Sequence, residues 1–206
     1  MIQIHKGEEP LSFTHWKAQA SEDWTPTYEG LQNPEKRELH QALVNEQREL
    51  CCYCGRRISA QDSHIEHFQP QSKRPDLALA YPNLHASCIR ATSRGLPLHC
   101  GHLKDEGYHE QNAVFPTSEC EHRFSYQLDG HIRGQDVGAV YMVDLLGLDI
   151  PFLTNRREEA LAGVFDVEFL QTVTRPELLT LVQAFRQGNQ EFRQVLTRYT
   201  EQLLNS

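Results

Sequence analysis

The chain has 206 residues, 39% of them apolar and 23% charged, and a formal net charge of −8. That length suits one good-sized domain or a compact catalytic module with helical additions packed on it, and the second is the expectation here. The composition excludes a disordered chain, no window approaches the roughly 18 uninterrupted apolar residues that cross a bilayer, and the acidic total argues against binding nucleic acid over the whole surface.

Along the chain, residues 1–30 read as an irregular arm with one short helix around 13–20. The opening residues Met1-Ile2-Gln3-Ile4-His5-Lys6 hold no basic segment followed by an apolar one, so no secretory signal is read and a cytoplasmic location is expected. Asn33-Pro34 starts a helix, with Glu35 and Glu38 in the first turn where the helix dipole favours acids. Leu39, Ala42, Leu43 and Leu50 carry its apolar stripe to Cys51. Residues 51–55 read as a tight knuckle whose glycine permits a left-handed turn. Short strands are predicted at 57–59 and 63–68, a proline-broken loop at 70–82, and a helix beginning near Asn83. Beyond Lys104, strands are predicted at 113–116 and 124–132, the latter folded at the Asp129-Gly130 hairpin signal. Helices follow over 137–146, 152–164, 176–187 and 190–204. The class is α+β, with an arm and helix in 1–50, a small metal-bearing core in 51–110, and a hairpin and helical region in 111–206.

Five of the six cysteines and five of the eleven histidines fall between Cys51 and Lys104. In a reducing compartment, closely spaced cysteines are metal ligands sooner than disulfides. The same stretch reverses the charge: seven cations (Arg56, Arg57, Lys73, Arg74, Arg90, Arg94, Lys104) meet three anions (Asp62, Glu66, Asp76), so a basic patch sits on an acidic body. Such a patch suits local contact with phosphates while another protein supplies much of the grip on a long polyanion. The plainer reading is scattered charge around a metal site.

Cys51 and Cys54 form a C-x-x-C pair that lets both sulfurs reach one tetrahedral zinc ion. Cys88 and Cys100 supply the second pair, with a loop containing Gly95 and Pro97 between them, although His85 or His99 is an alternative to either. A zinc ion here cross-links two ends of a small core and contributes folding free energy. Cys52 is expected to face away from the knuckle and Cys120 to stand alone.

Glu66 and His67 lie at a predicted strand end. Their side chains point to opposite faces unless the strand ends or bulges there, and Pro70 predicts such an ending. The carboxylate then ligates a hard cation, and the imidazole, poised near neutral pH, takes a proton from water. Asn83 offers an amide oxygen to the same ion or holds His67 in register, and His102 is the best remaining ligand. Lys104 can contact phosphate, and Lys73 and Arg74 sit in a loop that can touch a nucleic-acid backbone. His64, on the Glu66 face, reads as a structural residue.

Together the motifs Cys51-x-Tyr53-Cys54, His64-Ile65-Glu66-His67-Phe68-x-Pro70, Tyr81-x-Asn83-Leu84, Cys88 and Cys100-Gly101-His102-Leu103-Lys104 resemble the HNH endonucleases of the His-Me finger, or ββα-metal, fold. More narrowly, the chain resembles the HNH nuclease subunit of Septu-type and retron-associated anti-phage systems. That match extends through Asn112 to Pro116, the Asp129-Gly130 hairpin, Leu145 to Leu148, Leu153 and Arg156-Arg157.

The resemblance implies a zinc-stabilised ββα-metal core in which His67 is the general base. Glu66 becomes a ligand of a catalytic magnesium or manganese ion and Asn83 a ligand or orienting group. It implies DNA as substrate, with RNA as the alternative, and an ABC/SMC-like ATPase as partner, together with a retron reverse transcriptase and its RNA–DNA product. One departure is visible: HNH motifs commonly place the final histidine directly after the last cysteine, where this chain has Gly101, with His102 next. The competing reading is a zinc-knuckle scaffold without catalysis, which needs the four cysteines but has no use for Glu66, His67 and Asn83 together. A small-molecule zinc hydrolase is set aside because four thiolates close the metal.

Overall fold

A computed structural model describes residues 1–89, 91 and 95–205; Arg90 and Arg94, two of the cations counted above, lie outside the described residues. The class is α+β, with two small antiparallel sheets among helices. The first thirty residues carry the short helix α1 (Leu11–Lys17), and they are not an addition to the core. Met1, Ile2 and Ile4 are buried, and the Ile2 and Ile4 amides donate to Cys52 O at 3.2 Å and Pro116 O at 2.8 Å.

Helix α2 (Glu35–Glu46) starts after Pro34, has Glu35 and Glu38 in its first turn, and buries Leu39, Leu43 and Val44. It stops before Leu50, shorter than its apolar stripe suggests. Arg48 and Glu49 both take left-handed φ angles of 55° and 60°, which reverses the chain and lets Leu50 form an isolated bridge with Arg57. That bridge stands in place of the strand expected at 57–59. The knuckle closes as expected, with Cys51 N–H on Arg56 O at 2.8 Å and Gly55 at φ 80°.

Strand β1 (Ser63–His67) pairs antiparallel with β2 (Leu84–Cys88), in a register that sets Ser63 against Cys88, Glu66 against His85 and His67 against Leu84. Strand β2 replaces the helix expected near Asn83; only one 3-10 turn, Tyr81–Asn83, precedes it. Every residue of β2 is buried. A short run buried on both faces has no periodicity to separate strand from helix, so the partner strand decides. After a loop, the one-turn helix α3 (Gly101–Lys104) follows, giving the order β1, β2, α3.

Residues 113–116 form no strand; they lie beside the N-terminal segment. Strands β3 (Phe124–Tyr126) and β4 (Ile132–Gly134) make the hairpin, turned by Gly130 at φ 79°. Five helices complete the chain: α4 (Val137–Leu145), α5 (Pro151–Ala162), α6 (Val167–Thr172), α7 (Arg175–Gln187) and α8 (Arg193–Leu204). Their starts are marked chemically: Asp136 and Asp166 accept from the Ala139 and Phe169 amides, and Thr174 with Glu177 forms a capping box. The sequence reading did not include α6, a six-residue helix with no buried residue.

Helix α8 joins the hairpin to the knuckle. Gln202 bonds the Tyr126 N–H and C=O at 2.9 and 2.8 Å, while Gln194 donates to Cys54 O at 2.9 Å and Phe192 N–H to Gly55 O at 2.9 Å. Among the described residues no helix is long and apolar enough to cross a membrane.

Arg157 is 1% exposed and donates Nε to Gly130 O at 2.6 Å and Nη1 to Leu148 O at 2.8 Å, pinning the hairpin turn to α5. Removing it leaves two buried carbonyls without donors. Arg157→Leu is therefore expected to lose about 3 kcal/mol of stability, read as a lowered urea midpoint with an unchanged slope.

Candidate metal and catalytic site

The Cys51, Cys54, Cys88 and Cys100 sulfurs lie within 4.8 Å of one another, all buried. Cys54 Sγ and Cys88 Sγ are 3.5 Å apart. Four sulfurs at about 2.3 Å from one zinc ion would stand about 3.8 Å apart, so the cluster fits a tetrahedral metal such as zinc. Burial opposes ionisation of Cys51, but the surrounding sulfurs of Cys100, Cys52, Cys54 and Cys88 outweigh it and hold that thiol well below its ordinary range. Burial and the Cys51 sulfur in turn push Cys100 well above that range. A dication bound at the cluster would hold all four as thiolates. Cys52, expected to face away from the knuckle, instead reaches the Cys51 sulfur, and His99 borders the cluster too: its Nδ1 is 3.2 Å from Cys100 Sγ and 3.7 Å from Cys88 Sγ. His85, the other alternative ligand, packs edge-on to Phe68; burial, then Lys6, push it down to about 3.

Glu66 is 6% exposed and its carboxylate is held from three directions. Tyr53, inside the knuckle, donates its hydroxyl to Oε1 at 3.0 Å. The Lys104 ammonium lies 2.8 Å from the same oxygen, and His64 Nε2 lies 3.2 Å from Oε2. Burial alone would raise the carboxyl, but His64 and then Lys104 outweigh it, so its pKa is lowered. The carboxylate stays charged inside the protein.

His67 looks elsewhere. Its Nε2 lies 3.0 Å from Ala78 O and its ring meets Tyr28 edge-on at 4.4 Å. The sequence reading had Glu66 and His67 flank one cation through a strand end or bulge. Instead the regular register through His67 and Leu84 preserves alternation, and the two side chains leave opposite faces of β1. Lys104 links them, with Nζ 3.1 Å from His67 O. A carbonyl only accepts, so Nε2 carries the hydrogen and a neutral ring keeps its lone pair on Nδ1. Burial lowers the His67 pKa, which favours that neutral form.

Asn83 is committed to the loop after β1. Its Oδ1 accepts from Gln69 N–H at 2.8 Å, and its Nδ2 donates to Gln69 O at 3.0 Å and Leu77 O at 3.2 Å. No amide group is turned toward Glu66; the residue braces the segment that carries Ala78. His102 Nε2 lies 2.8 Å from Ile89 O, and its ring centre is 4.4 Å from that of His64. Lys104, expected on a phosphate, is 3% exposed and serves Glu66 instead. Lys73 donates to Tyr108 O at 2.8 Å, and Arg74 pairs with Asp76 at 2.7 Å.

One residue of this network went unread in the sequence: Tyr53 carries a signal in its place between Cys51 and Cys54, since a knuckle side chain is fixed by its neighbours. His64 reads in the sequence as a structural residue on the Glu66 face, and the structure places its Nε2 on the Glu66 carboxylate.

No family model matches the chain. A protein of Vibrio cholerae serotype O1 biovar El Tor named "Retron Vc95 putative HNH endonuclease" is 31% identical over 137 residues, 60% of this chain and 63% of that protein. The match thus spans less than two thirds of the relative's length. The chain is similar to a protein named as a retron HNH endonuclease, and that similarity supports the HNH reading of its motifs.

Proposed function

We propose that the chain is a metal-dependent HNH endonuclease that hydrolyses phosphodiester bonds, with DNA as its substrate, and that β1, β2 and α3 are its ββα-metal unit. The observation that carries this reading is the buried, charged Glu66 carboxylate, beside His67 at the strand end. A scaffold gains nothing from it, because a buried ion network costs desolvation that apolar packing avoids. The similarity to the retron protein and the four-sulfur cluster add independent support.

In this reading zinc fills the sulfur cluster, and Glu66, with His102 nearby, holds a magnesium or manganese ion. When bound, that cation supplies Lewis-acid stabilisation of charge on the phosphate and the departing oxygen. His67, neutral and with Nδ1 unprotonated, accepts the proton of the attacking water. Ala78 O fixes the ring by taking the Nε2 hydrogen, and Asn83 braces the loop that presents that carbonyl. Tyr53 and Lys104 hold Glu66 in one orientation, so no reorganisation is needed when charge develops. We further propose that the chain acts in anti-phage defence beside an ABC/SMC-like ATPase, with a retron reverse transcriptase and its RNA–DNA product. Co-purification from the native operon tests those partners.

Two experiments test the chemistry. His67→Ala is expected to fold and keep its metal content while cutting plasmid at least about a hundredfold more slowly than wild type in added magnesium or manganese. Normal cleavage by that variant would refute the assignment. Elemental analysis of the purified wild-type chain is expected to find one tightly held zinc ion, and Cys54→Ser to lose it together with cooperative unfolding.

A further inference from the structure

Glu66 has a third neighbour that the assignments above leave without a role. His64 and Glu66 alternate on β1 and share a face, with His64 Nε2 3.2 Å from Glu66 Oε2. The other ring nitrogen, Nδ1, lies 2.5 Å from Ile89 O. Since that carbonyl only accepts, Nδ1 carries a hydrogen; without a cation Nε2 carries one as well and donates it to the carboxylate, and a cation seated between the two would take the place of that proton on Nε2. An imidazole that donates one N–H to a backbone carbonyl and aims the other nitrogen at an anionic oxygen has the arrangement of a metal ligand. The spacing agrees: adjacent corners of an octahedron with bonds of 2.0–2.1 Å are about 3 Å apart. Glu66 Oε1 is already taken by Tyr53 and Lys104, which leaves Oε2 for the cation.

Gly101 explains how the imidazole fits. A Cβ at Gly101 would run into Glu66 Oε2 and stand 2.6 Å from His64 Nε2. A side chain at position 101 would therefore have to displace the Glu66 carboxylate or the His64 imidazole. The first residue of α3, where the motif leads one to expect a histidine, gives up its side chain, and the imidazole arrives in the same space from β1. Asn83, spent on the Gln69 and Leu77 backbone, does not compete for it.

We infer that His64 is a ligand of the catalytic divalent cation, through Nε2 beside Glu66 Oε2. This rests on the nuclease reading in one respect, that Glu66 holds such a cation. The test is a manganese titration of the zinc-loaded full chain followed by electron paramagnetic resonance, which reports affinity and the number of coupled imidazole nitrogens. Wild type and His67→Ala are expected to bind manganese alike. His64→Ala is expected to keep its zinc, bind manganese at least about tenfold more weakly, and couple to one imidazole nitrogen fewer. Weaker binding with an unchanged nitrogen count would make His64 a positioning residue for Glu66 and overturn the inference, as would unchanged binding; the nuclease reading survives both. A wild-type chain that binds no manganese would overturn that reading along with the inference. Gly101→Ala, which keeps both the Glu66 and His64 side chains and pushes one methyl into their space, carries the same test should His64→Ala fail to fold, with weaker binding expected and wild-type affinity refuting it.

Discussion

Four sulfurs from three separate pieces of chain meet in this molecule, and the geometry of the site follows from that meeting. The knuckle brings Cys51 and Cys54, the end of β2 brings Cys88, and the entry to α3 brings Cys100. Fixing Cys100 fixes Gly101 one residue later, and hence the approach of α3 to Glu66 and His64. Fixing the knuckle fixes Tyr53, whose hydroxyl reaches Glu66 from the other side. The carboxylate is thus gripped by two elements that the sulfur cluster holds at a set distance. Helix α8 reinforces this from outside through the carbonyls of Cys54 and Gly55, which explains why a C-terminal helix belongs to the same core cluster as the cysteines.

Charge is arranged inward more than outward. Of the cations between Cys51 and Lys104 that the structure describes, Lys104 is buried on Glu66. Arg57 pairs with Glu49 and Arg74 with Asp76, and Arg56 stands 3.8 Å from Glu191. The local positive surplus read from the sequence therefore offers less to a phosphate backbone than its count suggests. Exposed pairs of this kind are weak, within about 1 kcal/mol, and a polyanion can displace them. Lys104 is different, because withdrawing it would strand the carboxylate without its ammonium in a buried site.

Much of the fold was legible in the sequence wherever local chemistry alone decides it. The Pro34 start of α2, the Gly55 turn, the Asp129-Gly130 hairpin and the C-terminal helices are of this kind. What sequence could not show depends on partners distant along the chain. Leu84 to Cys88 is a strand because β1 lies beside it, and Met1 to Ile4 is core because Cys52 and Pro116 receive its amides. The site divides in the same way. The cysteine quartet was readable from C-x-x-C spacing and compartment logic. The burial of Lys104, the loop-bracing of Asn83 and the approach of His64 to Gly101 arise only when α3 is folded back on β1.

The alternation of β1 also sets how the two halves of the proposed chemistry can cooperate. His64 and Glu66 occupy one face and His67 the other, so a substrate must reach both around the end of the strand. The strand pairing runs out there: past His67 opposite Leu84, one further bond in register, Phe68 N–H to Asn83 O at 2.9 Å, closes the ladder. Beyond that point no third strand extends the sheet, which has two strands only among the described residues. A base on one face and a cation ligand on the other can then address opposite sides of one phosphorus, the relation that in-line displacement requires of the attacking and leaving oxygens. Strict alternation, which first separated the pair expected to share an ion, is on this view compatible with the reaction, provided the strand end itself stays rigid. Asn83 and Lys104 supply that rigidity, one by bracing the loop beyond His67 and the other by holding His67 O and the Glu66 carboxylate together.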